Sequence, residues 1–159
     1  MKVLIVSDTH GRYSNLEEVL EREGSIDMLL HLGDIEGEEC YIETIAQWPY
    51  HMIAGNNDLF SHLSKDKEVK IGKYKIWMTH GHNYMVNMST ERLRAAAMSR
   101  GVDIVMFGHT HKPYLDSESK PMVINPGSIS YPRQEGRKAS YIVMNFDSKG
   151  EAAFELKYL

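Results

Sequence analysis

Apolar positions along the chain alternate between two periods. Short aliphatic runs, as in strands covered on both faces, are interleaved with segments whose apolar residues return every three or four positions, as in amphipathic helices. The first run, Val3–Val6, predicts a buried strand. Ser14-Asn15-Leu16-Glu17 reads as a capping box opening a helix that carries Leu16, Val19 and Leu20, with Gly24 closing it. Met28–Leu32 predicts a second strand, Tyr41, Ile42, Ile45 and Ala46 a helix face broken before Pro49, and Tyr50–Ala54 a third strand. Tyr74–Thr79 predicts a fourth. Ser89 or Thr90 caps a helix carrying Leu93, Ala96 and Ala97, and Asp103–Phe107 predicts a fifth strand. Met122–Asn125, Ser140–Phe146 and Glu151–Tyr158 predict later strands, the last two joined through Ser148-Lys149-Gly150. Asp116–Lys120 reads as a solvated hairpin tip and Gln134–Lys138 as a loop. The alternation places the chain in the α/β class.

Composition narrows the picture. A chain of 159 residues, 42% hydrophobic and 25% charged, is expected to form one domain over residues 1–159. A net charge of −4 argues against a stable nucleic-acid complex but leaves small phosphate esters open as substrates. The single cysteine, Cys40, rules out an intramolecular disulfide and a thiolate-rich zinc site, which fits a reducing cytoplasm. The apolar run before Asp8 is too short for a signal peptide, and no stretch approaches the ~20 apolar residues of a membrane span. A soluble cytoplasmic protein away from membranes is expected. Trp48, Phe60 or Met85, if exposed, could pack a homo-oligomer.

The chemistry lies where the strands end. Five successive predicted strands run into Asp8-Thr9-His10, Gly33-Asp34, Gly55-Asn56-Asn57-Asp58, His80-Gly81-His82 and Gly108-His109-Thr110-His111. Each cluster alone is a weak signal. Together they are specific, because ligands of open α/β sheets bind beyond the carboxyl ends of the strands. In Asp-x-His and His-x-His both side chains of an extended segment point to one face. Oxygen and imidazole donors without thiolate suit Mn, Fe, Zn or Co.

In this order the motifs resemble the calcineurin-like metallophosphoesterase superfamily over roughly residues 1–133. They resemble more sharply its small YfcE-type phosphodiesterases, through Asn125-Pro126-Gly127-Ser128 and Pro132-Arg133. The resemblance implies a four-layer α/β/β/α sandwich. It implies a first metal held by Asp8, His10 and His111, a second held by Asn56, His80 and His109, and Asp34 between them. Two divalent ions are expected, Mn foremost, with Ni, Co, Zn, Fe or Mg as alternatives. The implied reaction is attack on a small phosphate ester by a hydroxide bridging the two ions. Two such ions and the two aspartates leave about +2, which a hydroxide and a diester monoanion balance, whereas a monoester dianion overshoots by about one charge.

One position departs from the family pattern. Where the family often has a leaving-group-protonating histidine, this chain has Asn57, which cannot serve as a general acid near neutral pH. Asp58 can still hold the loop, and His82 is a candidate second-sphere donor or substitute acid. Arg133 is a candidate contact for a phosphate oxygen, and Arg12 and Tyr13 follow the first ligand pair. His31, His51 and His62 fall outside the motifs and read as structural. A second function class is a retromer-subunit-like scaffold with a vestigial metal site. Retention of all seven ligand positions argues against it; the missing motif histidine argues for it.

Overall fold

The computed structural model describes residues 1–159. The elements in chain order are β1 (Lys2–Val6), α1 (Ser14–Glu23), β2 (Met28–His31), α2 (Glu39–Ile45), β3 (Tyr50–Met52), β4 (Asp66–Ile71), β5 (Tyr74–Thr79), α3 (Glu91–Arg100), β6 (Ile104–Met106), β7 (Pro113–Asp116), β8 (Met122–Pro126), β9 (Ser140–Phe146) and β10 (Ala152–Tyr158). They form two five-stranded mixed sheets, ordered β10-β9-β1-β2-β3 and β4-β5-β6-β8-β7. Within the first, β1, β2 and β3 are parallel; within the second, β5, β6 and β8 are parallel.

Alternation along the strands decides the layering. Val3 and Ile5 of β1 join Ile76, Met78, Ile104 and Met106 of the second sheet in one cluster between the sheets. The intervening Leu4 and Val6 point the other way and pack on Leu16 and Val19 of α1 and Ile42 of α2. On the far side, Trp77, Val105 and Val123 pack on Leu93 and Ala97 of α3. Three apolar layers between four layers of backbone make an α/β/β/α sandwich. Each fully buried Leu, Ile or Val contributes about 1.5–3 kcal/mol.

Three sequence expectations are corrected. Ser14 does not cap α1: the cap position is Tyr13, and no side-chain cap bond forms. Glu17 is engaged instead by the hydroxyl of Tyr41. Thr90 occupies the cap position of α3 as expected but makes no side-chain cap bond, and Ser89 Oγ accepts from Glu91 N–H at 3.4 Å instead. Trp48 is half-buried and packs against the cluster under α1 and α2, whereas Phe60 and Met85 are exposed. Two strands escape the hydrophobic pattern, β4 and β7, and both are sheet edges. β4 reads Asp-Lys-Glu-Val-Lys-Ile and buries only Val69 and Ile71. β7 and β8 form an antiparallel pair, so the polar stretch from Asp116 does lie at a hairpin tip. Gly24, with φ 63°, closes α1 as expected by donating its N–H to the Leu20 carbonyl.

Candidate metal centre

The five motif clusters follow β1, β2 and β3 of one sheet and β5 and β6 of the other, so the site straddles the mouth of the sandwich. The chain must turn sharply just past each strand. Asp8, His10, Asp34, His109 and His111 all have positive φ, between 49° and 67°. For residues with a Cβ such backbone costs about 1–3 kcal/mol each and persists only where the surroundings dictate it. Two motif glycines have a steric reason. A Cβ at Gly55 would lie 2.1 Å from Asp34 Oδ1, and one at Gly108 would lie 2.0 Å from Ser7 Oγ and 2.9 Å from Asp8 Oδ2.

Hydrogen bonds on the outer face of each imidazole fix what its inner face offers. The Leu32 carbonyl accepts from His80 Nδ1 at 2.7 Å, and the Tyr131 carbonyl from His111 Nδ1 at 2.7 Å. The Glu36 carboxylate accepts from His10 Nδ1 at 2.7 Å. Because these partners only accept, each Nδ1 carries a proton, and Nε2 is the ring atom turned inward. His10 Nε2 and His111 Nε2 face each other at 3.1 Å. Asp8 Oδ1 lies 3.2 Å from His111 Nε2, and Asp34 Oδ2 lies 3.4 Å from His80 Nε2 and 3.8 Å from His10 Nε2. Donor atoms of Asp8, His10, Asp34 and His111 all lie within 4.8 Å of one another. With both Nδ1 atoms already donating outward, the two Nε2 atoms at 3.1 Å are placed to share one cation. Asp8 Oδ1, His80 Nε2 and Asn56 Oδ1 are also buried without a hydrogen-bond partner. Such orphaned groups are rare and costly in a folded protein. The donor set therefore fits divalent metal.

His109 closes the opposite side, its ring 5.3 Å from that of His80. Asn87 Nδ2 donates to its Nε2 at 2.8 Å.

Electrostatics agree with cation binding. Burial alone would raise Asp8, but the His111 imidazole beside its Oδ1 and the charge of His80 outweigh it and hold Asp8 low. Asp34, likewise opposed by burial, is held at about 2 by His80 and by the Asn57 backbone N–H. His80 rises because Asp34 and Asp8 outweigh its burial. Burial, with the neighbouring His80 charge, pushes His82 and His109 down.

The remaining motif residues form a supporting frame. Asn57 donates its backbone N–H (2.9 Å) and Nδ2 (3.1 Å) to the two oxygens of Asp34. Asp58, buried, accepts from the N–H groups of Ile35, Glu36 and Gly55, tying the second-strand loop to the third. His82 Nδ1 has no partner, and its ring lies 5.6 Å from His80. Asn125 Nδ2 donates to the Gly108 carbonyl, and Ser128 Oγ to the Asp8 carbonyl, so the Asn-Pro-Gly-Ser loop braces two ligand loops through side chains. His31 is buried, with Nδ1 accepting from Gly33 N–H and Nε2 facing Thr9 Oγ1. Burial drops its pKa to about 4, so it stays neutral, a structural histidine as read from the sequence.

Beside the His10–His111 side opens a cleft of about 660 Å³ lined by His10, Glu36, His111, Tyr131, Pro132, Arg133 and Arg137. Around the site as a whole, the sequence did not single out Glu36, Asn87 or Arg137. Glu36 repeats the i, i+2 spacing after Asp34, a signal that was available. Asn87 and Arg137 lie in loops without a motif, and only folding brings them in.

A sandwich with acidic and imidazole donors at its mouth defines a metal-dependent hydrolase scaffold. The calcineurin-like phosphoesterase superfamily domain matches residues 1–149, and the chain belongs to that family. It is 32% identical over 149 residues to the probable metallophosphoesterase YsnB of Bacillus subtilis, covering 93% of this chain and 86% of that one. It is 29% identical over 171 residues to the phosphodiesterase YfcE of Escherichia coli, covering 92% and 89%. Among solved structures, a predicted phosphoesterase from Streptococcus pneumoniae superposes with a TM-score of 0.79 at 27% identity, covering 99% and 97%. A single-mutant Vps29 of Entamoeba histolytica superposes at 0.78 with 25% identity, covering 100% and 99%. The fold is that of these phosphoesterases. No helix is long and apolar enough to cross a membrane.

Proposed function

We propose that the chain, as one domain, is a two-metal phosphodiesterase acting on small phosphate esters. The observation that carries this is the pair of Nε2 atoms facing each other at 3.1 Å beside two buried aspartates whose carboxyls are held low. Asp8, His10 and His111 would hold one ion, Asn56, His80 and His109 the other, and Asp34 would lie between them. Bound Mn, or Ni, Co, Zn, Fe or Mg, would supply positive charge against the phosphoryl oxygens and lower the pKa of the attacking water. The chain's own contribution is positional. Asn57 holds the Asp34 carboxylate through two bonds, and Asp58 locks the loop that carries Asn56. Arg133 stands in the adjoining cleft, where its guanidinium can meet a phosphate oxygen.

Asn57 supplies no proton to the departing alkoxide. Losing a general acid costs ~10²–10⁴-fold, so nitrophenolate esters are expected to turn over far faster than alkyl esters. Equal rates across several leaving-group pKa units would contradict this.

The Vps29 likeness supports a second reading, a partner-binding scaffold with an idle metal site. The two separate by assay. Chelated protein is given Mn, Ni, Co, Zn or Mg and tested on bis-p-nitrophenyl phosphate and p-nitrophenyl phosphate, beside His109→Ala. Metal-dependent hydrolysis of the diester, lost in the variant, supports the enzyme. Tight metal binding without turnover of either ester supports the scaffold.

A further inference from the structure

The chain has seven arginines. Arg22, Arg94 and Arg100 are paired with Glu18, Asp116 and Asp66. None of the other four pairs with a carboxylate, and three of these four surround the cleft beside His10 and His111. Arg133 and Arg137 line it, and Arg12 lies 4.6 Å over the ring of Tyr131, another lining residue. The one acid in the lining, Glu36, is engaged by His10. A protein of net charge −4 thus carries a cationic wall against its metal centre, and fields of this kind concentrate anions. A scissile diester bears a single charge, which the metal half-sites already balance. It leaves the arginines unmatched. The cleft volume, about 660 Å³, lies in the range that holds a drug-sized or nucleoside-sized group.

We infer that Arg133 and Arg137 form a subsite for a second phosphate group, so that the favoured ligand carries two phosphates, one at the metals and one in this cleft. The inference rests on the phosphodiesterase reading and names the class of ester it acts on. A planar guanidinium presents paired donors to phosphate oxygens, and two of them suit a dianionic terminal phosphate.

The test uses thymidine 3′,5′-bisphosphate against the 3′- and 5′-monophosphates. Each is measured as an inhibitor of bis-p-nitrophenyl phosphate hydrolysis and by calorimetric binding to the Mn-loaded protein. The bisphosphate is expected to bind at least about tenfold more tightly than either monophosphate. That ratio is expected to fall to about one in the Arg133→Ala/Arg137→Ala variant and to persist in Arg92→Ala, which removes an unpaired arginine outside this cleft. Equal binding of bisphosphate and monophosphates, or an undiminished ratio in the double variant, would overturn the subsite. Arginine-dependent bisphosphate binding by calorimetry, with no turnover of the diester under any metal, would keep the subsite and remove the catalytic reading.

Discussion

Glu36 is the residue whose role is most sharply set by its contacts. Its carboxylate accepts from His10 Nδ1 and thereby turns Nε2 toward Asp8, Asp34 and His111. Partners of this kind tune ligand basicity and orientation, and their loss costs about 10–100-fold in metal affinity. Glu36→Ala is expected to show that loss for Mn by calorimetry while keeping its far-ultraviolet circular dichroism. Unchanged affinity would mean that the imidazole is held by packing alone. Gly55 makes a second residue-scale case. Its missing Cβ leaves room for Asp34 Oδ1. Gly55→Ala is therefore expected to abolish metal-dependent turnover and lower metal occupancy, both readable on purified protein. Full activity would require Asp34 to move without consequence.

Between elements, one charged junction ties α1 to three strands of the first sheet. Glu23, at the end of α1, receives Lys2 of β1, Lys157 of β10 and the hydroxyl of Tyr141 in β9. Burial works against its charge, but these three donors hold its pKa at about 2 against an ordinary 4.5. A depressed folded-state pKa stabilises above the unfolded value and is lost as pH falls through the folded one. Glu23→Gln is thus expected to cost about 1–3 kcal/mol at pH 7. In urea melts the difference should shrink between about pH 4.5 and pH 2. A difference independent of pH would assign the effect to shape. Packing dominates elsewhere: Leu16, fully buried between α1 and the first sheet, is expected to cost ~2–5 kcal/mol when cut to Ala.

Over the whole molecule, the three apolar clusters contain none of the seven proposed metal ligands. Fold and proposed metal site are joined through the loops and not through the core. Chelation is therefore expected to leave the secondary structure intact, unlike small metal-folded domains. Adding Mn back should raise the melting temperature, with about 2.7 kcal/mol of stabilisation at a hundredfold excess over Kd. Unfolding on chelation would show that the ligand loops carry the sandwich.

The elements that bury a face and the identity of the donor residues were legible in the chain before folding. Ser140–Phe146 and Tyr74–Thr79 are strands over their whole predicted length, because most of each segment is apolar and a strand buries both of its faces between the packed layers. Gly55 and Gly108 were legible as part of spaced motifs. Edge strands β4 and β7 were not, since a strand with one paired edge and little burial carries almost no hydrophobic signal. Nor was the cap of α1, where Glu17 found a partner in Tyr41, 24 residues away. Tertiary structure alone decided that the five clusters divide between two sheets and meet across the sandwich mouth. It alone set which nitrogen each histidine turns inward, through carbonyls of Leu32 and Tyr131 and the carboxylate of Glu36. It alone gathered Arg12, Arg133 and Arg137 around one cleft. Local sequence encodes period and donor type. Tautomer, charge pairing and the facing of side chains depend on atoms far apart along the chain, and only the packed fold fixes those.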